Sequence, residues 1–123
     1  NPIDYNKTSD QDYRTYRTTD STKEISMDKE MESYLNRIKQ LCNSNNINLV
    51  LVSCVSNEEN ADRYAATNRW CEDNGVEFVD FNLEDTYREV GYNFYEDNSS
   101  GNHAGISGAE KMTSCMGNIL VKM

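Results

Sequence analysis

A chain of 123 residues is the size of one domain, and its 37% hydrophobic content, much of it tyrosine and methionine, predicts a modest core at a mean hydropathy of −0.84. Twelve Lys and Arg against 21 Asp and Glu leave a net charge of −9, with the cations scattered. That argues against a nucleic-acid backbone or an anionic membrane surface as partner, since each demands clustered positive charge, and no apolar run approaches the roughly 20 residues that span a bilayer.

The chain opens at Asn1 without a secretory leader pattern, so its start reads as a trimmed or processed boundary. Residues 1–22 are polar. Within them "DYRTYRTT" has the β propensity of Tyr and Thr but no apolar face to bury, and the segment reads as an extended arm. Ser21 and Glu24 fit a capping box, and Met31, Leu35, Ile38 and Leu41 then recur at spacings of four and three, predicting an amphipathic helix to about Cys42. "INLVLVSCV" follows as a near-continuous apolar run, the pattern of a parallel strand covered on both faces. Ser56 with Glu59 repeats the capping box before a helix carrying Ala61, Tyr64, Ala65 and Cys71, and Gly75 suits a left-handed stop. "VEFVDF" is a second strand, and Asn82 is expected to cap a short helix, "LEDTYREVG". Residues 92–106 read as an irregular loop. Ser107 with Glu110 makes a third capping box, ahead of a C-terminal helix with Met112, Met116, Ile119, Leu120 and Met123 on one face.

Strands alternating with helices imply a right-handed crossover and a parallel sheet. The expected fold class is therefore α/β, with an arm over residues 1–22 and an α/β unit over residues 23–123. Two strands alone leave both sheet edges open although their pattern reads as buried. Either the tyrosine-rich arm adds a strand, another chain covers the sheet, or the unit is the second half of a larger α/β domain.

Chemistry-bearing residues are few. The four cysteines, at 42, 54, 71 and 115, include no Cys-x-x-Cys pair, and with one histidine in the chain they make a poor zinc set. They read as buried small hydrophobes, with one disulfide open to an exported protein. The acidic runs "NEEN", "CEDN" and "YEDN" lack the spacing of a calcium loop and read as solvated helix ends. Trp70 with Tyr64, and the segment "GYNFYEDN", could offer sugar-stacking faces, although packing is the commoner use of such rings. The sole histidine, His103, sits among Gly101, Gly105 and Gly108. Its imidazole has the pKa range of a general base, and the glycines allow close backbone approach. Ser99, Ser100 and Ser107 lie near it in sequence, with Ser107 better explained as a cap.

Three stretches, "YLNRIKQLCNSNNINLVLVSCVS", "RWCEDNGVEFVDFN" and "GNHAGISGAEKM", together resemble the C-terminal half of SGNH (GDSL-type) hydrolases, above all bacterial cell-envelope members whose last block reads Asp-x-x-His-Leu-Asn-x-x-Gly-Ala-x-Lys. The resemblance covers about residues 30–123. It implies a partial three-layer α/β/α, flavodoxin-like unit with a short parallel sheet, and it aligns the family's catalytic histidine with His103 and its Gly-Ala-x-Lys with Gly108, Ala109 and Lys111. The family's Leu-Asn becomes Ala104 and Gly105, and its catalytic aspartate position is taken by Ser100. Asp97, six residues before His103, is the nearest carboxylate. The nucleophilic serine of the Gly-Asp-Ser block has no counterpart, because that block precedes the matched region. The implied activity is that of an esterase or O-acyltransferase portion acting on a small ester or an acylated carbohydrate. His103 would be the base, no cofactor would be needed, and an extracellular or cell-envelope setting is implied. The competing expectation is a non-catalytic binding or assembly module, completed by a second copy or by an upstream half of the same protein.

Overall fold

The computed structural model describes residues 25–56, 60–100 and 103–123; the arm expected over residues 1–22 and the Ser21–Glu24 capping pair lie outside the described residues. The elements run in the order α1 (Lys29–Ser44), β1 (Val50–Ser53), α2 (Ala61–Asn74), β2 (Glu77–Asp80), α3 (Glu84–Val90), α4 (Phe94–Asp97), β3 (Asn98–Ser100), β4 (His103–Ala104) and α5 (Ile106–Lys122). The fold is mixed helix and strand with a short two-stranded parallel sheet.

The parallel pairing follows the sequence expectation. β1 and β2 run side by side in the register Val50↔Glu77 through Ser53↔Asp80, joined by the α2 crossover. Their burial is lighter than the apolar runs suggest. Val79 is buried, but Leu51 and Phe78 are half-buried and Val52 is 43% exposed. Among the described residues neither outer edge of this sheet has a strand beside it.

Helix starts differ from those expected, and each difference has a local cause. α1 begins at Lys29 because Asp28 Oδ1 accepts from the amides of Glu30 (3.0 Å) and Met31 (3.2 Å). α2 begins at Ala61, capped by Asn60, whose Oδ1 accepts from the Arg63 amide at 3.0 Å; Glu59 of the expected Ser56 box lies outside the described residues. α5 starts from Gly105 with no side-chain cap, so Ser107 is already inside the helix. The stop at Gly75 is the expected one, while α1 runs to Ser44, two residues beyond Cys42. Gly75 (φ 62°) and Gly91 (φ 69°) take the left-handed conformation, and the next residue's amide bonds back five positions, Val76 to Cys71 O (2.9 Å) and Tyr92 to Tyr87 O (3.2 Å). α1 closes the same way on Asn46 (φ 54°), with Ile47 N donating to Cys42 O at 2.9 Å.

Asn82 is not a cap either; Leu83 holds that position without a side-chain bond. Asn82 is fully buried just beyond the carboxyl ends of both strands. Its amide nitrogen donates to Cys54 O (2.8 Å) and Asp80 Oδ1 (2.8 Å), with Ser53 Oγ at 3.2 Å, while its oxygen accepts from Ser56 N (2.9 Å). It clasps β1 to β2.

The main core holds Val55, Val79, Phe81, Tyr92, Phe94 and Met112, with Val90, Met116 and Ile119 against it. α2 buries Ala65, Ala66, Trp70 and Cys71. α1 buries nothing fully. It is tied to α2 by Trp70 Nε1 donating to Asn36 Oδ1 and Lys39 Nζ to Asn74 Oδ1, both at 3.0 Å, while Met31, Tyr34, Ile38 and Leu41 stay exposed.

Candidate functional site

Residues 92–100 and 103–106 are more regular than the expected irregular loop, and their polar side chains are what organise them. Asn93 caps α4, its Oδ1 accepting from the Tyr95 amide at 3.0 Å. β3 and β4 form a small antiparallel hairpin, irregular between Asn98 and Ser100, in which Asn98 faces Ala104 and Ser100 faces His103. α4 through Phe94 and α5 through Met112 share a core with Val55 and Phe81, which follow the carboxyl ends of β1 and β2.

His103 is exposed in β4. Its carbonyl accepts from Ser99 Oγ at 2.9 Å, which fixes the backbone, but among the described residues its ring has no hydrogen-bond or ion-pair partner. Ser99 is buried and its hydroxyl is spent on that carbonyl.

Asp97 is buried, 1% exposed, and fully committed. Oδ1 accepts from Ser107 Oγ at 2.6 Å; Oδ2 accepts from the Asn93 amide and from Lys111 Nζ, both at 2.7 Å. Burial pushes this carboxyl up. The hydrogen bonds from Lys111, Ser107 and the Asn93 amide, with the Lys111 charge, outweigh burial and hold it below the ordinary aspartate value. The three donors on this carboxylate are Ser107, Lys111 and the Asn93 amide and none is the imidazole, so Asp97 and His103 do not form a dyad here.

Ser107, expected as a cap, places its hydroxyl on this buried carboxylate instead, and a lysine joins it there. The Ser–Asp–Lys trio resembles nucleophile machinery only in outline. A serine is activated by a group able to take its proton, whereas Asp97 is held in its weakly basic form and Lys111 is its cationic partner. The carboxylate instead sits at the first turn of α5, where a negative charge is favoured by the helix's own dipole. Ser107 and Lys111 line a groove of about 880 Å³ between β2, α3 and α5, together with Asp80, Leu83 and Cys115; His103 does not line it.

Gly108 explains how Asp97 comes so near. It is buried, and a Cβ there would lie 2.5 Å from the Asp97 carbonyl oxygen and 2.8 Å from the Tyr92 ring. In sequence the Gly-Ala-x-Lys pattern holds two of the three α5 positions that meet Asp97, Gly108 and Lys111, and Ser107 is the third. The sequence marked Tyr92 only as part of a candidate aromatic face in "GYNFYEDN"; in the structure its phenol bonds Asn98 Oδ1.

Of the other singled-out residues, Cys115 lines the groove and the rest lie away from it. Trp70 is 5% exposed, too buried for a sugar platform, and Tyr64 is half-buried with its ring stacked on Phe78 at 5.9 Å. The cysteines are unbridged; of the four only Cys71 is buried, its thiol pushed up to about 11 by burial and then by Glu72 and Glu77, while Cys54 is exposed. Among the described residues no group of three or more His, Cys, Asp or Glu is placed to hold a metal ion, and no helix is long and apolar enough to cross a membrane. Compared with family models, curated proteins and solved structures, the chain matches none.

Proposed function

We propose that this chain is the base-bearing portion of an SGNH-type esterase or O-acyltransferase, in which His103 takes the proton from a serine supplied by polypeptide outside residues 25–123. The observation that carries the reading is the setting of the only imidazole. It is exposed on a hairpin directly ahead of the last helix, and the elements on either side of it share a core with the carboxyl ends of two parallel strands, the end at which α/β sheets bind ligands. In this reading β1 and β2 are the later strands of a three-layer α/β/α, flavodoxin-like sheet, and earlier strands continue it from the open edge of β1. The exposed Val52, Met31, Ile38 and Leu41 are surfaces such strands and their helices would cover. The substrate class is a small ester or an acylated carbohydrate in an extracellular or cell-envelope setting, and no cofactor takes part. Co-expression with the preceding polypeptide, followed by p-nitrophenyl acetate hydrolysis, tests it. His103→Ala should reduce turnover by about 100-fold or more, the usual worth of a general base; unchanged turnover sinks the assignment.

A second reading is favoured by one specific observation: Asp97 is engaged away from the ring, leaving His103 without an orienting carboxylate among the described residues. The chain would then be a non-catalytic SGNH-like module that assembles through its apolar face, as a second copy or with an upstream half. Sedimentation of a stable monomer at micromolar concentration counts against it.

A further inference from the structure

We infer that Asp97 is a positioning residue, a buried carboxylate that docks the His103 hairpin onto α5. Both ends of the hairpin converge on this one residue. At the start, the carboxylate is gripped by Ser107 and Lys111 of α5 and by the amide of Asn93 at the head of α4. At the return, the Asp97 carbonyl accepts from the Gly105 amide at 2.6 Å, so the chain leaving β4 is pinned to the residue that precedes β3. Lys111 adds a bond to Gly91 O at 2.9 Å, which fixes the end of α3 to the same point. Gly108 leaves room for the carbonyl. The strand carrying the imidazole is thus held by a charge that the imidazole never touches.

Three alternatives fit these contacts less well. A catalytic orienter would bond the ring, and the bonds on Asp97 come instead from Ser107, Lys111 and the Asn93 amide. A nucleophile at Ser107 needs a basic neighbour and has an ion pair instead. An ion pair that merely adds global stability would have no reason to gather both ends of one hairpin. The groups facing the carboxylate are Lys111 and Ser107 from α5, the Asn93 amide from α4, and the Tyr92 phenol beside its carbonyl at 3.4 Å.

The functional weight of the docking rests on His103 as the base, but the docking is read by amide exchange and not by activity, so either can fail while the other stands. Hydrogen exchange of the full chain is compared at two amides. One is Gly105, which bonds Asp97 O; the other is Phe81, which bonds Ser53 O at 2.9 Å in the sheet region. In Asp97→Asn and Lys111→Met the Gly105 amide should exchange about tenfold faster or more, while Phe81 changes by less than about threefold, the mark of a local opening. Ser107→Ala, which removes a single bond, should move Gly105 in the same direction and keeps the comparison available if Asp97→Asn does not fold. Equal acceleration at both amides, or none at Gly105 in any folded variant, overturns the inference.

Discussion

Among single residues, one buried carboxylate and two glycines of α5 decide the most. Removing the charge in Asp97→Asn leaves Lys111 without its ionic partner; because the lysine side chain is 37% exposed and can reach water, the loss should be roughly 3 kcal/mol, at the lower end for a broken buried pair, measurable by urea unfolding. The acid dependence has a definite sign. The folded-state pKa of Asp97 is depressed, so its contribution is complete above the unfolded carboxyl range and is lost as pH falls through the lower folded value; the unfolding midpoint should drop below about pH 4 more steeply in the parent than in Asp97→Asn. The glycines give opposite outcomes from the same substitution. At Gly117 an added methyl would meet nothing within 4 Å, so Gly117→Ala should gain about 0.5–1 kcal/mol from helix propensity. Gly108→Ala drives a methyl into backbone and the Tyr92 ring and should cost about 1–3 kcal/mol despite that same propensity. Thermal scans that show both gaining would mean the contact between α5 and Asp97 is wrong.

For helices and strands, what was legible was whatever depends on period and on the left-handed stop. The two strands, their parallel pairing and the Gly75 terminus follow from local pattern, whereas the helix faces follow it only in part: Ala65, Cys71 and Met112 are buried as expected, but Ala61, Leu120 and Met123 are exposed. Helix starts were misread because several polar residues compete for each cap: Asp28 lies nearer the apolar repeat than Ser21, and Ser107 is drawn off by a carboxylate ten residues away. The arrangement of residues 92–100 and 103–106 was illegible for the same reason, since their polar side chains bond each other across a fold-back that no local period encodes. Asn82 is the clearest case. A cap and a clasp use the same amide, and only the meeting of two strands separated by α2 decides which it is. Asn82→Ala should cost about 2–3 kcal/mol, from several buried bonds worth about 1 kcal/mol each, and should destabilise the β1–β2 amides more than those of α5 in hydrogen exchange.

Across the fold, apolar surface and order are unevenly spread. The core gathers around α5 and the carboxyl ends of the strands, while α1 shows Met31, Tyr34, Ile38 and Leu41 to the outside, Leu41 at 66% exposure. If that face is covered by other polypeptide, Ile38→Gln with Leu41→Gln should leave the unfolding midpoint of the isolated chain within about 0.5 kcal/mol, as for surface changes generally, while abolishing co-purification with the upstream segment; a large loss of intrinsic stability would instead make the face part of this chain's own core. The candidate site was legible to the extent of its imidazole and its Gly-Ala-x-Lys, and no further, because the roles of Asp97 and Ser107 are set by distances across a fold. The parallel arrangement of β1 and β2 also carries a kinetic consequence. Neither strand can find the other until the 14-residue α2 has formed or collapsed between them, so their pairing closes a long loop before it is rewarded. Lesions at that seam, Val79→Ala for example, are expected to slow refolding, whereas lesions in the small hairpin that carries the imidazole should leave the refolding rate alone and hasten only the escape from the native state.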